Sequence, residues 1–280
     1  MTKELCDLHT HSYYSDGTTS PAFIIDEAER IGLTAVALCD HNTAAGLPEF
    51  LQYAKKSPVE AIAGVEFSTS YREKELHVLA LFVKEQHFEK INELSEILHK
   101  RKEESNQRLV AALSAAGYKI DYEKIKRESK GGINRAHIAT ALLEGGYAES
   151  VKAAFCDILD ESRGYYIPPE RFDVFEIIDF ICEIGATPVL AHPLLNLSAD
   201  ELREFLFEAI PHGLKGMEVI YSGYSTEETE IAKKIATECG ILSSGGSDFH
   251  GERKPDISLG TGKGNLEIPA SFIYALRLDN

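Results

Sequence analysis

Short apolar runs alternate along the chain with segments whose apolar residues recur at helical spacing. Seven runs predict β-strands, at residues 4–9, 34–41, 60–69, 75–83, 186–193, 216–222 and 241–250. Helical patterns follow most of them, at about 21–31, 46–55, 173–184, 198–210 and 226–238. Repeated strand–helix units indicate a mostly parallel sheet. We therefore predict an α/β fold, either an open sheet or a nearly closed barrel.

Two segments depart from this alternation. The tetrapeptide YREK at 71–74 separates the third strand from the fourth and predicts a hairpin, which would place an antiparallel pair in the sheet. In the middle of the chain, helical patterns follow one another without a strand, at about 86–116, 121–129, 135–144 and 149–160. We therefore predict an α/β domain formed by residues 1–84 and 165–280, with an all-helical insertion at residues 85–164.

Ionisable residues recur where the predicted strands end, in the segments DLHTH, CDH, GVE, ELH, AHP and GSDFH. The carboxyl ends of the strands line the active site in parallel barrels and open α/β sheets. His9 and His11 also share one face of their strand, because alternate residues point the same way. We therefore expect nine side chains to converge: His9, His11, Asp16, His41, Glu66, His77, His192, Asp248 and His250.

Burying six histidines and three carboxylates without a counter-cation is costly, and divalent metal ions remove that cost. Imidazole and carboxylate are ligands for manganese, iron and zinc alike. The set contains no thiolate, which argues against a structural zinc of the zinc-finger type. Nine ligands suit two or three ions, and closely spaced ions favour hydrolysis of a phosphate ester. Asp7 and Asp40 adjoin these ligands and either orient an imidazole or make ordinary strand-end hydrogen bonds.

The formal net charge of −16 makes the chain a poor general binder of duplex nucleic acid, because phosphates repel it. The segment Lys100–Arg135 nevertheless holds ten Lys and Arg residues against five Asp and Glu. This block is interpreted either as solvated helix faces or as a functional basic flap.

The sequence favours a cytoplasmic protein. It contains no apolar run of about 18 residues that would span a membrane. A strand pattern follows Met-Thr-Lys-Glu at once, so we expect no signal peptide. Five scattered cysteines without a CxxC pair predict buried free thiols in a reducing compartment.

The motifs DLHTHSYYSDG, CDHN, GVE, ELHVL, AHP and GSDFH, in this order, resemble the PHP (polymerase and histidinol phosphatase) family. The resemblance implies a distorted (βα)₇ TIM-like barrel with a trinuclear metal centre. It implies one metal held by His9, His11, Glu66 and Asp248. A second metal would share Glu66 and take His77 and His192, and a third would take Asp16, His41 and His250.

The segment GGINRAHIATALLEGG in the insertion resembles PHP phosphoesterases that act on nucleotides. These are 3′,5′-nucleoside bisphosphate phosphatases and 5′→3′ exonucleases on short oligonucleotides. Arg135 and His137 are predicted phosphate ligands, since a guanidinium matches phosphate oxygens and a helix start favours anions. Asn134 would cap that helix. Alternatively, Arg135 pairs with surface carboxylates.

We expect hydrolysis of a nucleotide phosphate by a metal-bound hydroxide, most simply on a 3′,5′-nucleoside bisphosphate, with His137 as a candidate proton donor. The alternatives are a 5′→3′ exonuclease, a histidinol-phosphate phosphatase and a non-catalytic metal-binding module. Weaker phosphate candidates are Arg163, Arg253 and Lys254. Tyr221 and Tyr224 either stack on a base or pack within their loop. The choice of metal and the oligomeric state stay open.

Overall fold

The computed structural model describes residues 4–128, 133, 135–264 and 266–278. The chain forms two compact units, one made of Met1–Glu93 and Arg171–Asn280 and the other of Leu94–Glu170. We call them the barrel unit and the helical unit. The helical unit corresponds to the insertion that the sequence predicts at residues 85–164. Asn134, the predicted helix cap, lies outside the described residues.

The described part of the barrel unit holds eight strands in one sheet. The strands are β1 (Cys6–Thr10), β2 (Ala35–Leu38), β3 (Glu60–Tyr71), β4 (Lys74–Leu81), β5 (Phe172–Asp173), β6 (Thr187–Ala191), β7 (Gly216–Tyr221) and β8 (Leu242–Gly246). All the predicted strands are present, whereas the two-residue β5 was not predicted, because it is too short to show a pattern.

The strands lie in the order β1-β2-β3-β4-β6-β7-β8, with β5 beside β3. All neighbours are parallel except β4, which is antiparallel to both β3 and β6. The Asp248 N–H donates to the His9 carbonyl and the His11 N–H to the Phe249 carbonyl, each at 2.9 Å, so the segment after β8 pairs with β1. The sheet is therefore a nearly closed barrel, which confirms the predicted fold and its antiparallel pair.

The helices are α1 (Pro21–Arg30), α2 (Leu47–Ala54), α3 (Phe88–Ala115), α4 (Tyr122–Glu128), α5 (Arg135–Glu144), α6 (Val151–Asp157), α7 (Val174–Glu183), α8 (Ala199–Ala209), α9 (Thr226–Cys239) and α10 (Ser271–Leu278). The side chains of Ser20, Asp173, Ser198 and Ser225 cap α1, α7, α8 and α9, which fixes where these helices begin. Helix α10 was not predicted. In the ranges that the structure describes, no helix is both long and apolar enough to cross a membrane.

Each unit has its own apolar core. Inside the barrel, Leu8, Leu79 and Val189 are buried together. In the helical unit, Leu113, Ile138 and Leu159 belong to a separate buried cluster. The helical unit contains no strand in its described residues, in agreement with the predicted insertion.

The cysteines are free, but they are not all buried. Cys6 and Cys39 lie in the barrel core, as expected for small apolar residues. Cys156 and Cys182 are exposed, so the prediction of buried thiols is wrong for these two. Each lies near the end of a helix, and the scatter of cysteines along the sequence does not reveal which face they occupy.

Candidate metal centre

All nine predicted metal ligands belong to the barrel unit. His11, His41, His192, Asp248 and His250 follow the ends of β1, β2, β6 and β8, whereas His9 lies on β1. His77 lies near the start of β4 and pairs with Ala191 at the end of β6. Because β4 is antiparallel, its first residues meet the carboxyl ends of its neighbours, and this brings His77 to the same edge.

Glu66 on β3 divides the histidines between its two carboxylate oxygens. Oε1 lies 2.8 Å from His77 Nδ1 and 3.0 Å from His192 Nε2. Oε2 lies 3.2 Å from the Nε2 atoms of both His9 and His11, and 3.1 Å from His41 Nδ1. A carboxylate with separate donors around each oxygen has the arrangement expected of a bridge between two cations.

Two further carboxylates complete the cluster. Asp248 Oδ1 lies 3.3 Å from both His11 Nε2 and His250 Nδ1. Asp16 Oδ1 lies 3.1 Å from His250 Nε2 and 3.7 Å from His41 Nε2. The Asp16 side chain is 40% exposed, against 5% for Asp248, so the Asp16 group lies on the solvent side of the cluster.

The donor atoms form four overlapping groups in which they lie within 4.8 Å of one another. The groups are His11, Asp16, His41 and His250; His9, Glu66 and His192; His9, His11 and Asp248; and His41, Glu66 and His77. Since they share His9, His11, His41 and Glu66, the sites they outline are adjacent.

Buried polar atoms of this cluster lack partners in hydrogen-bonding geometry among the described residues. They are His11 Nδ1, His41 Nδ1, Asp16 Oδ1 and Glu66 Oε2. Buried polar groups are normally satisfied, and a cation between these atoms would satisfy them. The residues therefore fit divalent metal ions, and their nitrogen and oxygen donors suit manganese, iron or zinc.

The electrostatics of the cluster also favour a cation. Burial penalises the charge of Glu66, but the surrounding histidines outweigh it and hold its pKa well below the usual value. Burial likewise opposes the charge of Asp248, and hydrogen bonding and charge from neighbouring histidines lower its pKa. Burial lowers the pKa of His41 to about 4. The carboxylates are therefore ionised and His41 is a neutral nitrogen donor at neutral pH.

Glu218 on β7 belongs to the site, although it was not predicted. His9 Nδ1 donates to Glu218 Oε1 at 3.0 Å, and the His192 N–H donates to Oε2 at 2.7 Å. Glu218 is fully buried. Burial opposes protonation of His9, but the charges of Glu66 and Glu218 raise its pKa well above the usual value. The sequence feature that could have identified Glu218 is its position as the single acidic residue inside the apolar strand GMEVIY.

Asp7 and Asp40 hold backbone rather than an imidazole. Asp7 accepts the N–H groups of Ser247 and Gly260, both at 2.8 Å. Asp40 accepts the N–H of Ser12 at 2.8 Å and its hydroxyl at 2.7 Å. The prediction that they orient an imidazole is wrong, and the alternative of ordinary strand-end hydrogen bonding is confirmed. Both carboxylates fix the loops that carry predicted ligands.

Tyr221, Tyr224 and Lys254 surround the Asp248 side of the site. Tyr221 donates to Asp248 Oδ2 at 2.8 Å and Lys254 Nζ donates to the same oxygen at 2.6 Å. The hydroxyl of Tyr224 accepts the Leu194 N–H at 2.9 Å, and the two tyrosine rings pack edge to face. Both tyrosines are buried, which favours packing over base stacking.

Arg135 and His137 lie in the helical unit, on α5. The Arg135 guanidinium donates to the Leu159 carbonyl at 2.8 Å and lies 4.1 Å from the centre of the Tyr166 ring. It therefore has a structural role within this unit. Pairing with surface carboxylates, the alternative for Arg135, stays a prediction. His137 lines a cavity of about 330 Å³ together with Lys119 and Lys124. Phosphate binding by either residue stays a prediction.

Closely spaced histidine and carboxylate donors at the strand ends of an α/β barrel place the chain among the metal-dependent hydrolases. Comparison with known proteins narrows this class. A family model described as the PHP domain matches residues 7–168. The crystal structure of a candidate metal-dependent phosphoesterase from Bifidobacterium adolescentis superposes with a TM-score of 0.75 at 28% identity, covering 98% of this chain and 95% of that one.

Two relatives of known activity cover most of the chain. A 5′-3′ exoribonuclease of Haemophilus influenzae is 31% identical over 255 residues, 89% of this chain and 91% of the relative. A 3′,5′-nucleoside bisphosphate phosphatase of Chromobacterium violaceum is 27% identical over 256 residues, 90% of each chain. The chain belongs to the PHP family, as its motifs predicted, and is a metal-dependent phosphoesterase.

Proposed function

We propose that this phosphoesterase cleaves the phosphate ester at the 3′-oxygen of a 5′-phosphorylated nucleotide, with 3′,5′-nucleoside bisphosphates as substrates. The observation that carries the chemistry is the division of donors around Glu66, with two histidines at Oε1 and three at Oε2. This arrangement supports adjacent cations, which is the form of site that hydrolyses phosphate esters.

The donor distances support a specific assignment. His9, His11 and Asp248 would hold one ion on the Oε2 side of Glu66, and His77 and His192 a second on the Oε1 side. Asp16, His41 and His250 would hold a third, more exposed ion. When bound, such ions activate water near neutral pH and neutralise the charge on phosphoryl oxygens.

The chain's own residues orient these ligands. Glu218 holds the His9 ring and the His192 backbone, and Tyr221 holds Asp248. His192 and Asp248 have positive φ angles of 30° and 58°, a conformation that non-glycine residues adopt at a cost of about 1–3 kcal/mol. These hydrogen bonds keep the two ligands in that conformation.

A 5′→3′ exoribonuclease acting on short RNA is the second candidate, favoured by the likeness to the H. influenzae enzyme. The two reactions share one bond change. One reaction removes the 3′-phosphate of a bisphosphate, and the other releases the first nucleotide of a 5′-phosphorylated RNA. Both break the bond between phosphorus and the 3′-oxygen of a 5′-phosphorylated nucleotide, so that this oxygen is the leaving group. They differ in whether the attacked phosphate carries a second nucleoside, so one centre could perform both.

A substrate panel tests the proposal. The metal-loaded chain is assayed with 3′-phosphoadenosine-5′-phosphate, a 5′-phosphorylated five-nucleotide RNA and histidinol phosphate. We expect phosphate release from the bisphosphate, and we expect Glu66→Gln to abolish it. Glu230→Gln is the control and should retain it, because Glu230 lies on α9 and is paired with Lys233. Cleavage of the RNA faster by orders of magnitude would make the exoribonuclease the function. Turnover of histidinol phosphate alone would overturn both candidates.

A further inference from the structure

A cavity of about 290 Å³ adjoins the metal centre. Five of its lining residues are predicted metal ligands: His41, Glu66, His77, His192 and Asp248. Lys254 is the one lysine or arginine among the described residues that line it. A phosphate ester that reaches the ligands through this cavity meets the Lys254 side chain.

The turn after His250 fixes the position of Lys254. The Lys254 N–H donates to the Gly251 carbonyl at 3.1 Å, and the Lys254 carbonyl accepts the Ile257 N–H at 2.9 Å. Gly251 has a φ of +65°, and a Cβ there would lie 2.2 Å from Thr18 Oγ1. The turn therefore packs against the loop that carries Asp16, and this packing fixes the backbone of Lys254 close to His250.

The ammonium group has hydrogen-bonding capacity left. Nζ donates to Asp248 Oδ2, which is its one acceptor within the described part of the chain, and Tyr221 donates to that same oxygen. An ammonium has three hydrogens, so two remain. The Lys254 side chain is 37% exposed, so these hydrogens are accessible to a ligand.

We propose that Lys254 binds substrate at this centre, with its ammonium group donating to a non-bridging oxygen of the scissile phosphate. This inference rests on the proposed function and adds a substrate contact to it. A positive charge held in place before the reaction stabilises charge on phosphoryl oxygens, and lysine binds phosphate as a point charge. The ion pair with Asp248 keeps the flexible side chain directed at the cavity.

Inorganic phosphate is the probe, because its binding can be measured without turnover. Calorimetry on the metal-loaded chain compares the unmodified protein with Lys254→Met, which keeps the apolar stem and removes the charge. Losing a charged hydrogen bond should weaken phosphate binding at least about tenfold. We expect KM for the bisphosphate to rise similarly, metal content to be unchanged, and Lys254→Arg to restore part of the affinity.

Lys233→Met is the matched control, since Lys233 on α9 is also ion-paired to a carboxylate, Glu230, at 2.9 Å. Unaltered phosphate affinity in Lys254→Met overturns the inference. A loss of affinity that accompanies a loss of metal also overturns it, because Lys254 would then act only by holding Asp248. If Lys254→Met does not fold, Lys254→Gln, which retains an N–H donor for Asp248, replaces it. Phosphate binding that depends on Lys254 in a chain that hydrolyses no nucleotide would refute the proposed function and leave this inference standing.

Discussion

The Glu218 carboxylate holds the His9 imidazole at 3.0 Å, with Nδ1 of the ring as the donor. A proton held on Nδ1 by Glu218 directs the other ring nitrogen, Nε2, toward a metal ion, and Nε2 lies 3.2 Å from Glu66 Oε2. The other oxygen of Glu218 holds the His192 backbone. One side chain of β7 thus sets the orientation of ligands from two other strands, a role that carboxylates commonly have beside metal-bound histidines.

Glu218→Gln should weaken metal binding about 10- to 100-fold, because an amide accepts a hydrogen bond from His9 less strongly than a carboxylate does. Competition with a coloured chelator measures the affinity. Glu230→Gln, on the exposed face of α9, is the control and should bind metal like the unmodified chain. Equal affinities in all three proteins would show that Glu218 is only a core residue.

Gly246→Ala should destabilise the barrel. A Cβ at Gly246 would lie 2.2 Å from His9 Cβ and 2.8 Å from the His9 nitrogen, so β8 would have to move away from β1. Overpacking of this kind costs about 1–3 kcal/mol, measurable as a lower midpoint of urea denaturation. We also expect reduced metal affinity, since the displaced atoms belong to a ligand. An unchanged midpoint would mean that β8 can move away from β1 at Gly246 without loss of stability.

The convergence of most of the nine predicted ligands could be expected, because parallel strands deliver their last residues to one edge. This rule needs only strand boundaries, which the apolar runs provide. His77 reaches the same edge by another route, because the hairpin between β3 and β4 brings the start of β4 there. Glu218 was missed because it lies inside β7 and belongs to none of the motifs in which the ionisable residues recur. An acidic residue in the middle of a buried strand needs a partner, but the sequence does not name that partner.

The roles of Asp7 and Asp40 could not be read from adjacency to ligands. Asp7 precedes His9 by two residues and Asp40 directly precedes His41, but both carboxylates accept hydrogen bonds from other segments of the chain. Asp7 reaches Ser247 and Gly260, whose proximity depends on closure of the barrel. Long-range hydrogen bonds of this kind follow from the assembled fold and leave no local pattern.

Arg135→Lys should loosen the helical unit, since lysine keeps the charge but loses the planar contact with Tyr166 and the bond to Leu159. Faster hydrogen exchange in α5 and α6 would report this, and Arg108→Lys, on an exposed position of α3, is the control. If Arg135 also binds phosphate, KM for the bisphosphate rises in the same variant. Unchanged exchange and unchanged KM would contradict both roles.

Asp16→Ala should remove one metal ion and leave the others. Asp16 Oδ1 approaches His250, His41 and His11 at 3.1–4.0 Å, and this is the most exposed of the donor groups. The ligands around Glu66 Oε1 and Asp248 Oδ1 do not depend on it. Metal content per chain, measured after dialysis against metal-free buffer, should therefore fall by about one ion, while Asp200→Ala, at an exposed position of α8, should keep the full content. Unchanged content would refute the assignment of Asp16, and loss of every ion would show that the sites form a single cooperative unit.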